Sequence, residues 1–474
     1  MQTFTRKRQV FLELASLLVL LSLTSLTALA QGQEPSPDDS PSSRVQTFRP
    51  RSFLLTPPSF IPPNPDTEAT LEADSASAAP AQGIPKNLPF KVTSEGRKAP
   101  RRQELTVISF GTKYVNALFG GFEQGSGFGF GVQFTTADKI PGVKFRARAL
   151  VSTRFYRKFE LSAYLPKVGS DKNHGEVWFT YLRRTRDTFF GLGPRSNEAD
   201  RTNFDLETRD IEGMFVRDFT PKLSAGLYLG RINISSYRGQ FEDEPPIDIL
   251  FSGNPNVQPI TRWVPGLREH LEFFAYGGFF EADGRNDDHG LTRGGFLYAR
   301  AASADGINNN LPTTYGWTEG QIDGRVYVPL FSDKTSFAFR AMADLRSPKG
   351  GSQIPFYMNS FLGGRSFVRG FTNYRFRSHN LLLFSGELRQ TVYAMKEDRG
   401  VDIAFFGDLG RSWGDTRSKT NAAIIRNDKF GEAPWRASFG PAVQFRYNKD
   451  LAVRIDWGHS TERNILYFSI SRGF

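Results

Sequence analysis

The sequence predicts an all-β protein: a transmembrane antiparallel β-barrel of about 16 strands, preceded by an N-terminal signal peptide and a disordered tether. Three observations lead to this prediction. Apolar and polar residues alternate in many C-terminal segments, short and long connections alternate between those segments, and the N-terminus carries a secretory leader. The expected organisation of the 474 residues is a signal peptide at 1–30, a Pro- and Ser-rich periplasmic tether at 31–103 and the barrel at 104–474.

The N-terminus has the three parts of a secretory signal peptide. MQTFTRKRQ is basic, an apolar run follows, and Ala28 and Ala30 supply the small residues that signal peptidase reads. We expect cleavage after Ala30. The sequence contains no cysteine, which excludes a lipoprotein anchor, disulfide bonds and thiolate metal sites.

Residues 31–103 are rich in Pro, Ser and acidic side chains. Such a composition cannot bury enough apolar surface to offset the chain entropy lost on folding, so we expect a disordered or extended tether. From about residue 104 onward the composition changes and alternating aromatic segments begin. The mean hydropathy of −0.40 and the lack of a later apolar run of helical length exclude further membrane helices.

The C-terminal part alternates with period two, the pattern of half-buried strands. In SGFGFGVQF the bulky apolar residues fall on one face, and in LAVRIDW the residues Arg454 and Asp456 fall opposite the apolar ones. A soluble sandwich would also alternate. Here one face is bulky and apolar while the other repeatedly carries Arg, Asp and Gly, which is typical of lipid outside and a wet lumen inside.

The connections between these segments alternate in length. YNKD (447–450) and FSDK (331–334) are tight turns, whereas 234–267 and 411–433 are long and polar. Short periplasmic turns and long outer loops are typical of bacterial outer-membrane barrels. Counting segments from the predicted first strand near 104–114 to the last near 464–474 gives about 16, an even number as such barrels require.

Four sequence motifs occur late in the chain. FLGGRSFVRGF contains Gly363, Gly364 and the run Val368–Phe371, and FFGDLG contains Phe406, Asp408 and Gly410. The strand before FFGDLG carries Glu387 in SGELRQ, and the chain ends in NILYFSISRGF. Together these motifs resemble those of the BamA/TamA-type bacterial surface antigen family, the barrels that insert or translocate proteins at outer membranes.

The resemblance implies a function and a location. It implies an outer-membrane barrel that assists insertion or translocation of client polypeptides, with FLGGRSFVRGF as a sixth loop folded back into the lumen. It also implies an assembly signal at the C-terminus, formed by Leu466, Phe468, Ile470 and Phe474.

Members of the family carry POTRA domains before the barrel, and the tether is too polar and Pro-rich for even one. A structural or surface-exposed barrel, or a passive pore, therefore stays open as the alternative, as does a separate periplasmic partner that supplies the absent module.

Physical chemistry suggests a role for the loop residues. A lumenal arginine is costly unless it is paired, and its planar guanidinium suits carboxylates. Alternation places Glu387 and Asp408 on the inward faces of neighbouring strands, where Arg369 could reach both. Gly363, Gly364 and Gly370 would let the loop turn tightly, so we expect a loop lock that also includes Phe371, Phe406 and Gly410.

The sequence gives no sign of catalysis. It has no GxSxG motif, and its five His residues have no partner at metal-ligand spacing. We therefore expect neither an enzyme nor a bound cofactor or metal. The net charge of +11 suits anionic lipid headgroups, lipopolysaccharide among them, and secretion argues against a nucleic-acid partner.

Overall fold

The structure is a computed structural model, which describes the barrel region with a few gaps. The described residues are 91–93, 107–112, 114–120, 126–136, 142–240, 244–254, 256–257, 262–285, 293–307, 313–395, 399–414, 429–446 and 452–470. The predicted signal peptide, its cleavage site at Ala28 and Ala30, nearly all of the predicted tether, and Phe474 lie outside them.

The described residues form 20 strands and three short helical turns. The strands are β1 Lys91–Thr93, β2 Val107–Gly111, β3 Val115–Gly120, β4 Gly129–Thr135, β5 Lys144–Ser152, β6 Arg157–Leu165, β7 Asn173–Phe189, β8 Thr202–Thr220, β9 Leu223–Arg238, β10 His270–Asp283, β11 Gly294–Gly306, β12 Gly316–Leu330, β13 Ser332–Pro348, β14 Ser360–Leu362, β15 Phe376–Ser378, β16 Asn380–Ala394, β17 Gly400–Trp413, β18 Trp435–Arg446, β19 Ala452–Ser460 and β20 Asn464–Ile470. The helical elements are the α-helix α1 Ile247–Leu250 and two 3₁₀ turns, Glu198–Asp200 and Phe356–Met358.

One antiparallel sheet contains all strands except β14 and β15, which pair with each other. Each strand pairs with its neighbours along the chain, and β13 pairs directly with β16. Strands β3–β13 and β16–β20 number sixteen, which confirms the predicted barrel size. Strands β1 and β2 are additional and lie on the edge of β3.

The start of the barrel differs from the sequence prediction in one respect. The strand expected near 104–114 is β2, and after a turn a further strand, β3, follows that was not predicted. The hydroxyl of Thr112 accepts hydrogen bonds from the backbone N–H groups of Tyr114 and Val115, at 3.3 and 3.0 Å. A hydroxyl that satisfies nearby backbone groups is a local alternative to the strand ladder, and an alternation pattern does not reveal it.

The two faces of the sheet have opposite character. Leu227 and Leu229 on β9 are 68% and 57% exposed, whereas Tyr228 between them is buried. The inward face carries many buried charged side chains, including Arg325 and Asp323 on β12. Among the described residues, no helix is long and apolar enough to span a membrane. The strands therefore present an apolar outer band and a polar lumen, as predicted.

The sheet curls round so that distant loops meet across the lumen. Arg375, between β14 and β15, donates to Ser196 after β7 and to Glu462 after β19. The long connections also fold inward at this end. Phe251 and Phe356, which lie in two different connections, both pack against Phe189 with ring centroids 5.0 Å apart. Side chains from different connections thus pack together at the outer end of the barrel.

The strands that flank the closing position of the barrel are its shortest. We call the position between β3 and β20 the seam. Strands β3 and β4 have 6 and 7 residues and β20 has 7 described residues, whereas β7–β13 have 13 to 19. Residues 121–125 and 471–474, which directly follow β3 and β20, lie outside the described residues.

Candidate functional site: the inward loop and the lumen wall

The connection between β13 and β16 folds into the lumen and has its own apolar core. We call residues 349–379 the inward loop. Phe361 packs against Phe367 and Tyr374 with ring centroids 4.8 and 4.5 Å apart. The N–H of Gly364 donates to the carbonyl of Phe371 at 3.0 Å and closes the loop tip. The tip is therefore a compact unit that can dock on the wall as one piece.

Arg369 attaches the loop tip to β17. Its Nε and Nη2 donate to the two oxygens of Asp408 at 2.8 and 2.7 Å, and its backbone N–H donates to Oδ2 at 3.1 Å. The guanidinium carbon lies 3.3 Å from the ring centroid of Phe406, on the same face of β17. The Arg369 side chain is buried. A planar fork on a carboxylate, stacked on an aromatic ring, fixes both the position and the orientation of the loop.

A second group of carboxylates surrounds the same guanidinium. Arg369 Nη1 donates to Glu387 at 3.2 Å and to Asp456 at 3.3 Å. Burial acts to lower the pKa of Arg369, but Asp408 and Glu387 more than offset it and raise the pKa above its ordinary value. The side chain is therefore a permanent cation.

Glu387 is shared between three cations. It accepts from Arg389 at 2.6 Å and from the two terminal nitrogens of Arg454 at 2.7 and 2.8 Å. Arg454 also donates to Asp456 at 2.7 Å. The wall strands β16, β17 and β19 are thus joined through one ion-pair network centred on the loop arginine. Asp408 differs from Glu387, since Arg369 is its main partner and Ser438 its other contact, at 3.4 Å.

The opposite side of the loop is held by β12 and β13. Arg340 Nη1 donates to the carbonyl of Ser366 at 2.7 Å, while its other nitrogens bind Asp323 at 3.1 and 2.9 Å. Ser360 donates to Asp344 at 3.0 Å. The loop is therefore held between two parts of the wall.

The loop tip also contacts the last hairpin, beside the seam. The hydroxyl of Tyr467 on β20 accepts from the N–H of Gly370 and donates to the carbonyl of Phe371, each at 3.1 Å. Ser460 donates to the Gly370 carbonyl at 2.7 Å. Gly370 has a φ of 88°, and a Cβ there would lie 3.0 Å from backbone atoms of His459 and Ser460. Only glycine fits this conformation and this close approach.

Gly410 makes room for the loop on β17. A Cβ at this position would lie 2.6 Å from Leu362 and 2.7 Å from Val368, both in the loop. A side chain here would push the loop off the wall.

The structure brings most of the predicted loop residues together and leaves the C-terminal group apart. Gly363 and Gly364 shape the loop tip, and Leu466 and Phe468 lie exposed on the outer face of β20. The side chain of Ile470 and all of Phe474 lie outside the described residues. The C-terminal assembly signal thus stays a prediction.

Several contributors to the site were not predicted, including Arg340, Asp323, Ser360 and Asp344 on the side of β12 and β13. The alternation in LAVRIDW already places Arg454 and Asp456 on the inward face, but it does not show that they lie near Arg369. Tyr467 and Ser460 gave no signal in the sequence, since their contacts depend on where the loop tip lies.

Chemically, the site is a set of fixed ion pairs and hydrogen bonds. Within the described residues, no group of three or more His, Asp or Glu side chains is placed to hold a metal ion.

Comparisons with known proteins agree with this architecture. A family model described as the Omp85 superfamily domain matches residues 141–471. Among solved structures, the chain is similar to BamA from Haemophilus ducreyi lacking POTRA domains 1–3, with 16% identity, a TM-score of 0.56, and coverage of 73% of this chain and 67% of that one. This likeness concerns the fold. No curated protein matches the sequence.

Two further structures are similar at lower scores. CdiB from Escherichia coli has a TM-score of 0.49 and 12% identity, covering 79% of this chain and 66% of that one. CdiB from Acinetobacter baumannii has a TM-score of 0.42 and 12% identity, with 77% and 58% covered. The chain thus matches 58% to 67% of the length of these three structures.

Proposed function

The chain belongs to the Omp85 superfamily and is an outer-membrane β-barrel, and from this we propose that it assists the insertion or translocation of polypeptides at the bacterial outer membrane. The observation that carries the proposal is the docking of the inward loop. Its tip is bound by Arg369 to Asp408 on β17 and by Tyr467 on β20, beside the seam. Because the loop tip contacts both β17 and β20, a polypeptide that displaces the loop in the lumen would also break contacts of β20 beside the seam.

The seam is where a client strand would be added. A strand edge presents unpaired N–H and C=O groups, which act as a template for an incoming strand. Tyr467 on β20 contacts the loop tip, so loop movement would reach a strand beside this position. Burial of the client's own apolar face in lipid would supply the driving free energy, with no nucleotide needed.

The aromatic side chains that fold inward at the outer end of the barrel disfavour a passive pore. The inward loop and the connection after β9 place buried aromatic side chains inside the outer end of the barrel, among them Phe251, Phe356 and Phe361. Porin-type conduction needs a water-filled channel through the lumen. Client polypeptides, outer-membrane lipids and a separate periplasmic protein are the partners that this proposal implies.

Reconstitution into lipid vesicles tests the proposal. A denatured eight-stranded barrel is added, and its folded fraction is followed by heat-dependent gel mobility. Vesicles that contain the protein should fold this client faster than vesicles that contain the same protein irreversibly unfolded by boiling. Equal rates, together with large and steady ion conductance, would contradict the proposal and favour a pore.

A further inference from the structure

The lipid-facing side of β6 and β7 changes from apolar to basic near the outer end of the barrel. Phe159 lies opposite Tyr181, and the next pair on the same face is Arg157 opposite Arg183. Phe159 is 40% exposed, and Arg157 is exposed on the same side, because side chains two residues apart in a strand share a face. The two pairs are separated by about 7 Å along the strands. The apolar band therefore ends directly below two arginines.

This arginine pair lies on the side of the membrane that faces away from the periplasm. Arg157 follows the turn between β5 and β6, and Arg183 lies in the last part of β7. The connection that follows β7 contacts the inward loop, since the N–H of Gly193 donates to the carbonyl of Arg377 at 2.7 Å. The pair is therefore at the end where the long connections meet, and a lipid that contacts it belongs to the outer leaflet.

The two arginines are like charges on directly opposed residues, an arrangement that destabilises an antiparallel strand pair. Arg183 is partly compensated, because its terminal nitrogens lie 3.5 Å from Asp205 and 3.8 Å from Glu207. The structure describes every residue from 142 to 240, and within this part of the chain the side chain of Arg157 has no hydrogen bond or ion pair. An anion between the two guanidinium groups would remove their repulsion.

Arginines on the same face of the two following strands do have a carboxylate. On β8, Arg209 donates to Glu207 at 2.7 Å. On β9, Arg231 donates to Glu272 of β10. An arginine on the lipid-facing side of this wall is thus normally paired with an acidic side chain, and Arg157 is an exception.

The turn between β5 and β6 brings further arginines to the same place. Thr185 on β7 donates to the carbonyl of Arg154 at 2.7 Å, which attaches the turn to β7. Phe155 in this turn is 58% exposed, and the guanidinium carbon of Arg186 lies 5.8 Å from the centroid of its ring. We call the four arginines at this position the arginine corner: Arg154, Arg157, Arg183 and Arg186.

We infer that the arginine corner binds the phosphate group of an anionic lipid in the outer leaflet, with the acyl chains of that lipid against Phe159 and Leu161. A planar guanidinium contacts phosphate oxygens at two points, and two guanidinium groups side by side suit a doubly charged phosphate. An arginine on the lipid-facing side is costly at the bilayer midplane and is tolerated near the interface, where headgroup phosphates lie. Leu161 is 43% exposed and continues the apolar surface below Phe159, so the site favours a lipid over a free anion. The inference rests on the outer-membrane location and not on the proposed action on polypeptides.

Lipid binding to the folded full-length protein in detergent tests the site. The probe is dioctanoyl phosphatidic acid. Dioctanoylglycerol lacks the phosphate, and inorganic phosphate lacks the acyl chains. Microscale thermophoresis should show that phosphatidic acid binds at least about tenfold more tightly than either, because the phosphate contacts are charge-assisted. Equal binding of dioctanoylglycerol, or equal binding of inorganic phosphate, would overturn the inference.

A matched pair of variants locates the binding. Arg157→Gln should weaken the binding of phosphatidic acid at least about fivefold, whereas Arg231→Gln should change it less than about twofold. Both variants lose one positive charge from the lipid-facing side, and heat-dependent gel mobility shows that each is folded. If both variants lost the same affinity, net charge and not the arginine corner would attract the lipid. Parent-like affinity of Arg157→Gln would also contradict the inference.

A charge reversal tests the site within a membrane. Arg157→Glu places a carboxylate opposite Arg183, which supplies the opposite charge from the protein itself and repels phosphate. The measurement is the urea midpoint of unfolding in vesicles of phosphatidylcholine with and without phosphatidic acid. Phosphatidic acid should raise the midpoint of the parent, because a ligand that binds only the folded state stabilises it, and should raise that of the variant less. An equal rise in both proteins, or no rise in the parent, would overturn the inference.

Discussion

Arg369 and Asp408 are joined by three hydrogen bonds, of which two run from the guanidinium and one from the backbone N–H of the arginine. The pair is buried and links the tip of the inward loop to β17. Asp408 depends on this contact more than the other carboxylates of the site do, because Glu387 and Asp456 each bind other arginines as well. Removing Arg369 should thus leave one uncompensated charge, at Asp408.

Arg369→Ala should destabilise the folded barrel by about 3 kcal/mol, since it leaves a buried carboxylate without its cation. Arg369→Lys should recover less than half of this, because an ammonium cannot make the two-point contact. The measurement is the free energy of unfolding by urea in lipid vesicles, followed by gel mobility. An alanine variant as stable as the parent would show that the pair does not hold the loop.

A double change should identify the group that is left uncompensated. Asp408→Asn removes the orphaned charge, so Arg369→Ala with Asp408→Asn should be more stable than the sum of the two single effects by about 1 kcal/mol or more. Asp402 is the matched control, since it lies on the same face of β17 but binds Arg446 at 2.7 Å. Arg369→Ala with Asp402→Asn should be additive within about 0.5 kcal/mol. Equal coupling for the two pairs would contradict the assignment.

Gly410→Ala should weaken loop docking, because the new methyl group would overlap Leu362 and Val368. We expect a loss of about 1–3 kcal/mol in unfolding free energy and faster tryptic cleavage within the loop. Gly407→Ala is a control on the same strand, where a Cβ would meet nothing within 4 Å. If both changes had the same effect, close packing of the loop on β17 would not explain it.

Tyr467→Phe removes the hydroxyl that both accepts from Gly370 and donates to Phe371. The lost bonds leave two backbone groups of the loop tip unpaired, so stability should fall by about 1–3 kcal/mol. Amide exchange of the loop tip should become faster while exchange in β9 stays unchanged. Tyr276→Phe on the outer face of β10 serves as the control. Unchanged loop exchange in Tyr467→Phe would mean that β20 does not hold the loop.

Local sequence patterns were sufficient to predict the sheet and the inward faces of its strands. Alternation assigned Glu387 and Asp408 to the lumen because side chains of a strand point alternately to its two faces. The resemblance of FLGGRSFVRGF to a lumenal loop motif suggested that Arg369 lies near them. Neither the alternation nor the loop motif could predict that Asp456 and Arg454 join the ion-pair network around Arg369. Their distance from Arg369 depends on how β17, β18 and β19 pair and curl, which involves residues far apart in the chain.

The same limit applies at the N-terminal end of the barrel. The strand predicted near 104–114 is present as β2, but β3 was not predicted, because it depends on a turn that the Thr112 hydroxyl stabilises. The pairing of Lys91–Thr93 with β2 is also invisible in composition, since a three-residue strand has no periodicity to detect. Tertiary pairing, and not local preference, gives these residues their structure.

The central claim is that this barrel acts on other polypeptides at its seam, and site-specific photocrosslinking in growing cells tests it most directly. A photoreactive residue replaces Leu466 on β20 or, as the control, Leu229 on β9, two leucines that are 68% and 57% exposed on the outer face. We predict crosslinks to newly made outer-membrane polypeptides from position 466 and none from position 229. Equal crosslinking at both positions, or none at position 466 in a correctly folded protein, would contradict the claim.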